Sequence, residues 1–290
     1  MTTPSRPRSR LVTMTATLSY VGLLALAVPG PATAQAPPAV DRARDRGTGV
    51  PLSVFGTYIR RGEVVVYPFF EYYRDANYEY EAGELGFSGT TEHRGRYRAR
   101  EGLFLVAYGL TENLAVEFEA AGISASLDKA PGDDSALPQR FAQSGLGDVE
   151  GQLRWRWKKE TDTRPEFFSY FETVLPLQRE KTLIGTPAWE FKLGAGMVRG
   201  RSWGTVTVRA SVATVDGSIE VGEYAFEYLR RLSSRWRVFA AIEGSEDEVE
   251  FISEAQLFLR PNVCLKLNNA FGVTPKATDW APEIGILFRF

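Results

Sequence analysis

The chain has 290 residues, enough for one large domain or two modest ones. Hydrophobic residues make up 44% of it and aromatic residues 12%, yet the formal net charge is only -2. That balance points to no nucleic-acid partner, and the single cysteine, Cys264, leaves nothing for an intramolecular disulfide or a thiolate metal cluster.

The first 34 residues read as an export signal. Arg6, Arg8 and Arg10 supply a basic region, Leu18 to Val28 a short apolar core, and Ala32-Thr33-Ala34 a small-x-small cleavage site. Pro29, Gly30 and Pro31 break the core too early for an anchoring helix, and no later stretch approaches the roughly 18 apolar residues such a helix needs. Residues 35–62 are rich in Pro, Arg, Asp and Gly with little periodicity; they read as a mobile periplasmic lead-in or as a small plug of a lumen.

From Glu63 onward the texture is period two. Val64–Arg74 is the first predicted strand, with Pro68 suggesting a bulge or weak pairing at its middle. Asp75 to about Arg96 reads as a polar loop. Tyr97–Tyr108 is the second strand, and Gly109-Leu110-Thr111-Glu112-Asn113 turns it into a third from Leu114. Ser124–Ser144, with Pro131, Gly132 and Pro138, reads as a long loop. In the fourth strand Val149, Gly151, Leu153, Trp155 and Trp157 face one way and Glu150, Gln152, Arg154, Arg156 and Lys158 the other. Further strands are predicted at Phe167–Leu177, from Trp189, around Val206–Val212, at Ser218–Leu229, from Trp236, at Val249–Leu259, at Val263–Val273 and at Trp280–Phe290. Asp216-Gly217 is the dipeptide a type I′ hairpin prefers, and Glu246-Asp247-Glu248 marks another tip.

Twelve strands with one apolar and one charged face predict an all-β fold, an antiparallel transmembrane β-barrel over residues 63–290. The outer membrane of a Gram-negative bacterium is the expected location. Both ends of the barrel then lie at the periplasmic rim, with long connections outside and short turns inside. Trp155, Trp157 and Trp236 fall near the inner interface and Trp189 and Trp280 near the outer one, as an aromatic girdle. The last strand carries Glu283, Gly285, Phe288 and Phe290 at the spacing of a C-terminal signal read by the barrel assembly machinery.

The inward set is Glu71, Glu117, Glu119, Glu150, Arg154, Arg156, Glu172, Glu190, Lys192, Arg209, Glu223, Glu227, Arg237, Glu243, Glu250, Glu254 and Arg289. So many charges require water or mutual pairing, and they read either as ion pairs that fix the barrel or as the lining of a narrow solute path. Catalysis has few candidates. The only histidine, His93, lies in a predicted outer loop with Ser88 as its nearest hydroxyl, and a lipid-modifying enzyme would need such a pair held together at the lipid-facing wall. Asp133-Asp134 offers a weak divalent-cation or lipopolysaccharide contact. No cofactor or metal site is expected, and no nucleotide fingerprint is present.

Three local features, Gly109-Leu110-Thr111-Glu112-Asn113-Leu114, Ser144-Gly145-Leu146-Gly147-Asp148-Val149 and Leu175-Pro176, resemble a family of outer-membrane transporters named for the meta-pathway of phenol degradation. Leu177-Gln178 stands where that family often continues with Thr-Gly. The resemblance implies a barrel passing small, aromatic or hydrophobic compounds, with outer-membrane lipid as its surroundings and no catalytic residues. A passive channel for small solutes is therefore the leading reading; a structural or partner-binding barrel using its long outer loops, and a lipid-modifying enzyme, are the alternatives.

Overall fold

The computed structural model describes residues 47–215, 218–245 and 248–290. The export signal and the tips at Asp216-Gly217 and Glu246-Asp247 lie outside the described residues. Two short strands, β1 (Val50–Pro51) and β2 (Tyr58–Ile59), pair with each other as a small hairpin. Twelve more form a closed antiparallel barrel: β3 (Val64–Glu81), β4 (Glu92–Gly109), β5 (Leu114–Asp128), β6 (Arg140–Lys158), β7 (Glu166–Leu175), β8 (Glu190–Arg201), β9 (Gly204–Val215), β10 (Ser218–Arg231), β11 (Trp236–Ser245), β12 (Glu248–Arg260), β13 (Val263–Gly272) and β14 (Trp280–Arg289). Each strand pairs with its sequence neighbours, and β14 closes on β3. Closure removes the free edges that a sheet would otherwise present.

Alternation decides which side chain sees which medium. On β8 Phe191, Leu193 and Met197 are exposed on the outside, while Glu190, Lys192 and Val198 are buried within. Phe104, Phe118, Ile242 and Ile284 are likewise exposed on other strands. A protein surrounded by water seldom carries so continuous an apolar belt, and a bilayer is the medium that covers one. Trp155, Trp157 and Trp236 project outward at the end of the barrel that bears Phe290; Trp189 and Trp280 do so at the other. Trp203, in the 202–203 turn, is exposed beside the first group and stacks on Tyr228 at 5.7 Å.

Several expectations about the strands need correction. The stretch Asp75–Arg96 is not one polar loop, because β3 continues to Glu81 and β4 begins at Glu92. A register shift between Asp75 and Tyr78 changes the phase of β3, which disguises the continuing alternation in the sequence. Ser124–Ser144 is likewise strand at both ends: β5 runs to Asp128 and β6 starts at Arg140, which leaves 129–139 as the connection. Ala125 and Leu127 keep facing inward there. Pro68 carries no bulge, since the β3–β4 register passes from Tyr67↔Leu105 to Phe69↔Leu103 unbroken. Its effect falls on the seam instead, where β14–β3 pairs resume at Phe69 and Val66 on either side of it.

Gly285 marks a close approach at the same seam. A Cβ there would lie 2.5 Å from Phe69 Cβ and from the Tyr67 ring, so the ring covers the glycine directly. Tyr67 Oη then donates to Glu283 on the same strand as Gly285.

At the end bearing Phe290 the connections are short: 110–113, 159–165, 202–203, 232–235 and 261–262. At the other end 82–91, 129–139 and 176–189 are long, and the last of these, unmarked in the sequence reading, exceeds the other two. These three do not stand apart from the barrel. Leu85, Ala130, Leu137, Leu183 and Ile184 pack with inward-facing Tyr97, Ala99, Ile123, Ala125 and Leu127 in one buried cluster.

Candidate functional site

The lumen is divided along its length. The half toward Phe290 holds the β1–β2 hairpin. Val50, Leu52, Val54 and Ile59 pack against inward-facing Val65, Tyr67, Leu105, Ala107, Ala115, Cys264 and Leu287. These apolar residues on an otherwise polar face therefore have a purpose, to form a socket. Phe55 stacks on Phe239 at 4.4 Å.

Charged lumen residues complete the hold by capping the hairpin's backbone. Ser53 donates its N–H to Glu117 at 3.0 Å, and Glu117 pairs with Arg154 at 2.7 Å. Arg154 donates to the Pro51 carbonyl at 3.3 Å and Arg156 to the Gly49 carbonyl. Arg237 reaches the Gly56 carbonyl at 3.1 Å, Lys266 and Gln256 share the Phe55 carbonyl, and Arg289 donates to Tyr58 at 2.9 Å. Carbonyls buried without such donors would each cost about 1–3 kcal/mol. The donors come from β6, β11, β12, β13 and β14, so the grip extends round most of the wall.

Beyond the hairpin lies a cavity of about 360 Å³. Tyr67, Phe69, Tyr73, Tyr78 and Tyr97 form one wall, and Tyr78 stacks on Tyr97 at 4.8 Å. Glu71, Glu119, Glu150, Glu172, Glu223, Glu243, Glu250 and Glu283 line the remainder with Arg209. The space reaches Ser245, Glu248, Lys276 and Thr278 at the rim opposite Phe290, on the side of that mouth away from the long connections.

The seventeen predicted lining residues face inward, and apart from Glu190 they fall into three sets: ion-paired, hairpin-holding and without an ion pair. Arg209 gathers Glu223 at 2.9 Å, Glu227 at 3.0 Å and Glu243 at 2.6 Å. Lys192 joins Glu172 at 2.7 Å and also contacts Glu223, while Glu254 pairs with Lys266 at 3.2 Å. Glu117, Arg154, Arg156, Arg237 and Arg289 serve the hairpin. Glu190 is buried at the start of β8, at the end of the barrel away from Phe290. Glu71, Glu119, Glu150 and Glu250 form no ion pair among the described residues. Glu119 faces Glu150 across β5–β6, Glu71 faces Glu283 across the seam, and Glu243 faces Glu250 across β11–β12. Like charges set directly opposite repel, so this belt favours a cation or bound water between the strands.

Three contributors escaped the sequence reading. Glu101 is fully buried inside β4 opposite Glu71, Lys266 is buried among the hairpin contacts, and Glu283 lines the cavity besides belonging to the last strand's spacing pattern. All three fall on the inward phase of the period-two pattern, Glu101 on β4, Lys266 on β13 and Glu283 on β14.

His93 is corrected from loop to strand β4, where its Nε2 lies 3.5 Å from Asp133. No hydrogen bond joins it to Ser88 among the described residues. Asp133 is a buried hub rather than a solvated acid. It accepts from Tyr80 Oη and from the Ser135 N–H, both at 2.8 Å. Burial raises its pKa, but the Ser135 and Tyr80 hydrogen bonds and nearby His93 prevail and hold the carboxyl near pKa 2. Asp133 thus ties connection 129–139 to β3 and β4.

No family model matches the chain, and no curated protein does. Among solved structures it is similar to the COG4313 outer membrane channel from Pseudomonas putida F1, with 14% identity and a TM-score of 0.60 over 83% of this chain and 100% of that one. The translocator domain of the autotransporter NalP from Neisseria meningitidis follows at 12% identity and TM-score 0.49, covering 80% of this chain and 90% of that one. The Ralstonia pickettii toluene transporter TbuX gives 8% and 0.44, covering 80% and 90%. The first likeness supports the twelve-stranded barrel fold; the other two are too distant in shape to add to it.

Proposed function

We propose that this chain is a bacterial outer-membrane channel for small solutes, closed at rest by the β1–β2 hairpin. The observation that carries the proposal is a polar, carboxylate-rich cavity that opens at one rim of an apolar-belted barrel and ends on an inserted hairpin. An aromatic wall facing glutamates suits a solute with a flat apolar face and a polar or positively charged group. The neighbour that shares the fold is described as an outer membrane channel, which agrees with this use.

In this reading the end with long connections faces outward and the Phe290 end faces the periplasm. Gly285, Phe288 and Phe290, with Glu283, keep the role of assembly signal. Phe288 and Phe290 present their rings outward, 6.4 Å apart, where a membrane-embedded partner could read them. The outer connections spend their apolar residues on a shared core, so they form a cap more than a docking surface.

The experiment is conductance of the refolded chain in planar bilayers under a salt gradient. The expected result is rare, small openings with a reversal potential favouring cations. Glu119→Gln with Glu150→Gln should move that potential toward zero by reducing the unpaired negative belt. Silence in bilayers together with no solute flux into liposomes would overturn the channel reading.

A further inference from the structure

We propose that the outward face of β3 and β4, just above the apolar belt, is a binding site for the headgroup phosphates of lipopolysaccharide, formed by Arg74, Arg98 and Arg100. Arg74 stands directly opposite Arg98 in the β3–β4 register, and Arg100 is opposite Tyr72. Their sequence neighbours Tyr73 and Ala99 belong to the inward set, so the three guanidinium groups face outward. Arg74 and Arg100 are exposed and Arg98 is half-buried. Among the described residues none of the three guanidinium groups has an ion pair or a hydrogen bond. Nearby Arg94, in contrast, is satisfied by Glu79 at 2.8 Å.

Two cations directly opposite on paired strands lie within about 5.5 Å at Cβ and repel each other unless an anion sits between them. A phosphate is the anion that guanidinium forks match in shape and charge. The register adds donors beside them. Ser126 is opposite Arg98 and Ser124 opposite Arg100 on β5. The carboxylates bordering this patch have other partners or positions: Asp128 is set between Arg96 and Arg140 at the upper edge, Glu79 pairs with Arg94, and Asp279 accepts from the Ala76 N–H.

The setting selects a lipid over a free ion. Trp280 is opposite Arg74 across the seam, and its ring meets Tyr72 edge-on at 6.2 Å. Below them Phe70 and Phe104 are exposed in the belt. A ligand filling this surface places phosphate on the arginines, sugar against the indole and acyl chains on the phenylalanines. In an outer leaflet that ligand is the phosphorylated disaccharide of lipopolysaccharide.

The inference rests on the proposed outward direction of this end, and its test separates it from the channel reading. The full chain in detergent is titrated with bisphosphorylated lipid A, dephosphorylated lipid A, phosphatidylglycerol and inorganic phosphate, with bound lipid read by native mass spectrometry. Bisphosphorylated lipid A should bind at least about tenfold tighter than the other three, and Arg74→Gln, Arg98→Gln and Arg100→Gln together should remove that preference. Bilayer conductance of the triple variant should equal that of the parent, so loss of lipid with conductance retained belongs to this site alone. If the triple variant does not fold, Arg98→Gln alone should weaken lipid A binding and Arg98→Lys should restore part of it. Lipid A bound equally by parent and variants, or no better than phosphatidylglycerol or phosphate, would overturn the proposal.

Discussion

At the scale of single residues, Asp133 shows how a side chain that looks solvated in sequence becomes structural. Two adjacent acids in a Pro- and Gly-rich stretch give no warning of burial, because the partners Tyr80 and His93 lie some fifty and forty positions away. Its pKa near 2 lies below the ordinary carboxylate value, so the folded form binds its proton less readily than the unfolded form. The stabilisation it gives the outer cap is therefore complete above about pH 4 and is lost as the pH falls toward 2. Limited proteolysis of connection 129–139 should accelerate over that interval. Asp133→Asn should be cut faster at neutral pH and show little further change on acidification; a variant that keeps the parent's pH profile would contradict the role assigned to the carboxylate.

At the scale of elements, the barrel strands were legible because period two survives in each, whereas the hairpin was legible only as one of two alternatives, a lead-in or a plug. Its strands are only two residues long, and the surrounding Pro and Gly erase any periodicity. The readable trace lay on the receiving wall. Val65, Leu105, Ala115 and Leu287 are apolar residues on a face that elsewhere carries charge, and an apolar patch inside a wet lumen needs a cover. The extended outer parts of β3 to β6 were hidden for a different reason, a change of phase at Asp75–Tyr78 and polar residues above the membrane level. Deleting residues 47–62 should leave the twelve-strand ladder closed but unblock the inner half of the lumen. Single-channel conductance is expected to rise several-fold, on the order of the added open cross-section. Unchanged conductance in a folded deletion variant would show that the narrow point lies elsewhere.

At the scale of the whole molecule, closure was legible from an even strand count, and its register was not, because no turn links the first and last strands. The structure sets Val66 opposite Phe288 and Phe70 opposite Ile284, both pairs facing lipid. With Cys264 changed to Ser, Val66→Cys and Phe288→Cys should oxidise to a disulfide that clamps the seam. Heated in detergent, that protein should keep its compact gel mobility until a reductant is added. Cysteines that stay reduced under oxidant would disprove the register. The charged lumen was legible as a set of residues but not in its division of labour, since pairing across the barrel depends on strand tilt and on the hairpin's presence.

The reach of the hairpin also bears on how the molecule is made. Its contacts extend from β5 and β6 to β13 and β14, strands that lie on both sides of the closing seam and far apart in synthesis. Once the wall has zipped shut, threading this segment into an occupied, narrow bore is slow. An early-made hairpin acts as a mandrel on which later strands gather, lowering the loop-closure entropy of bringing β14 back to β3. The segment that obstructs the finished pore is, on this view, the one that hastens its assembly.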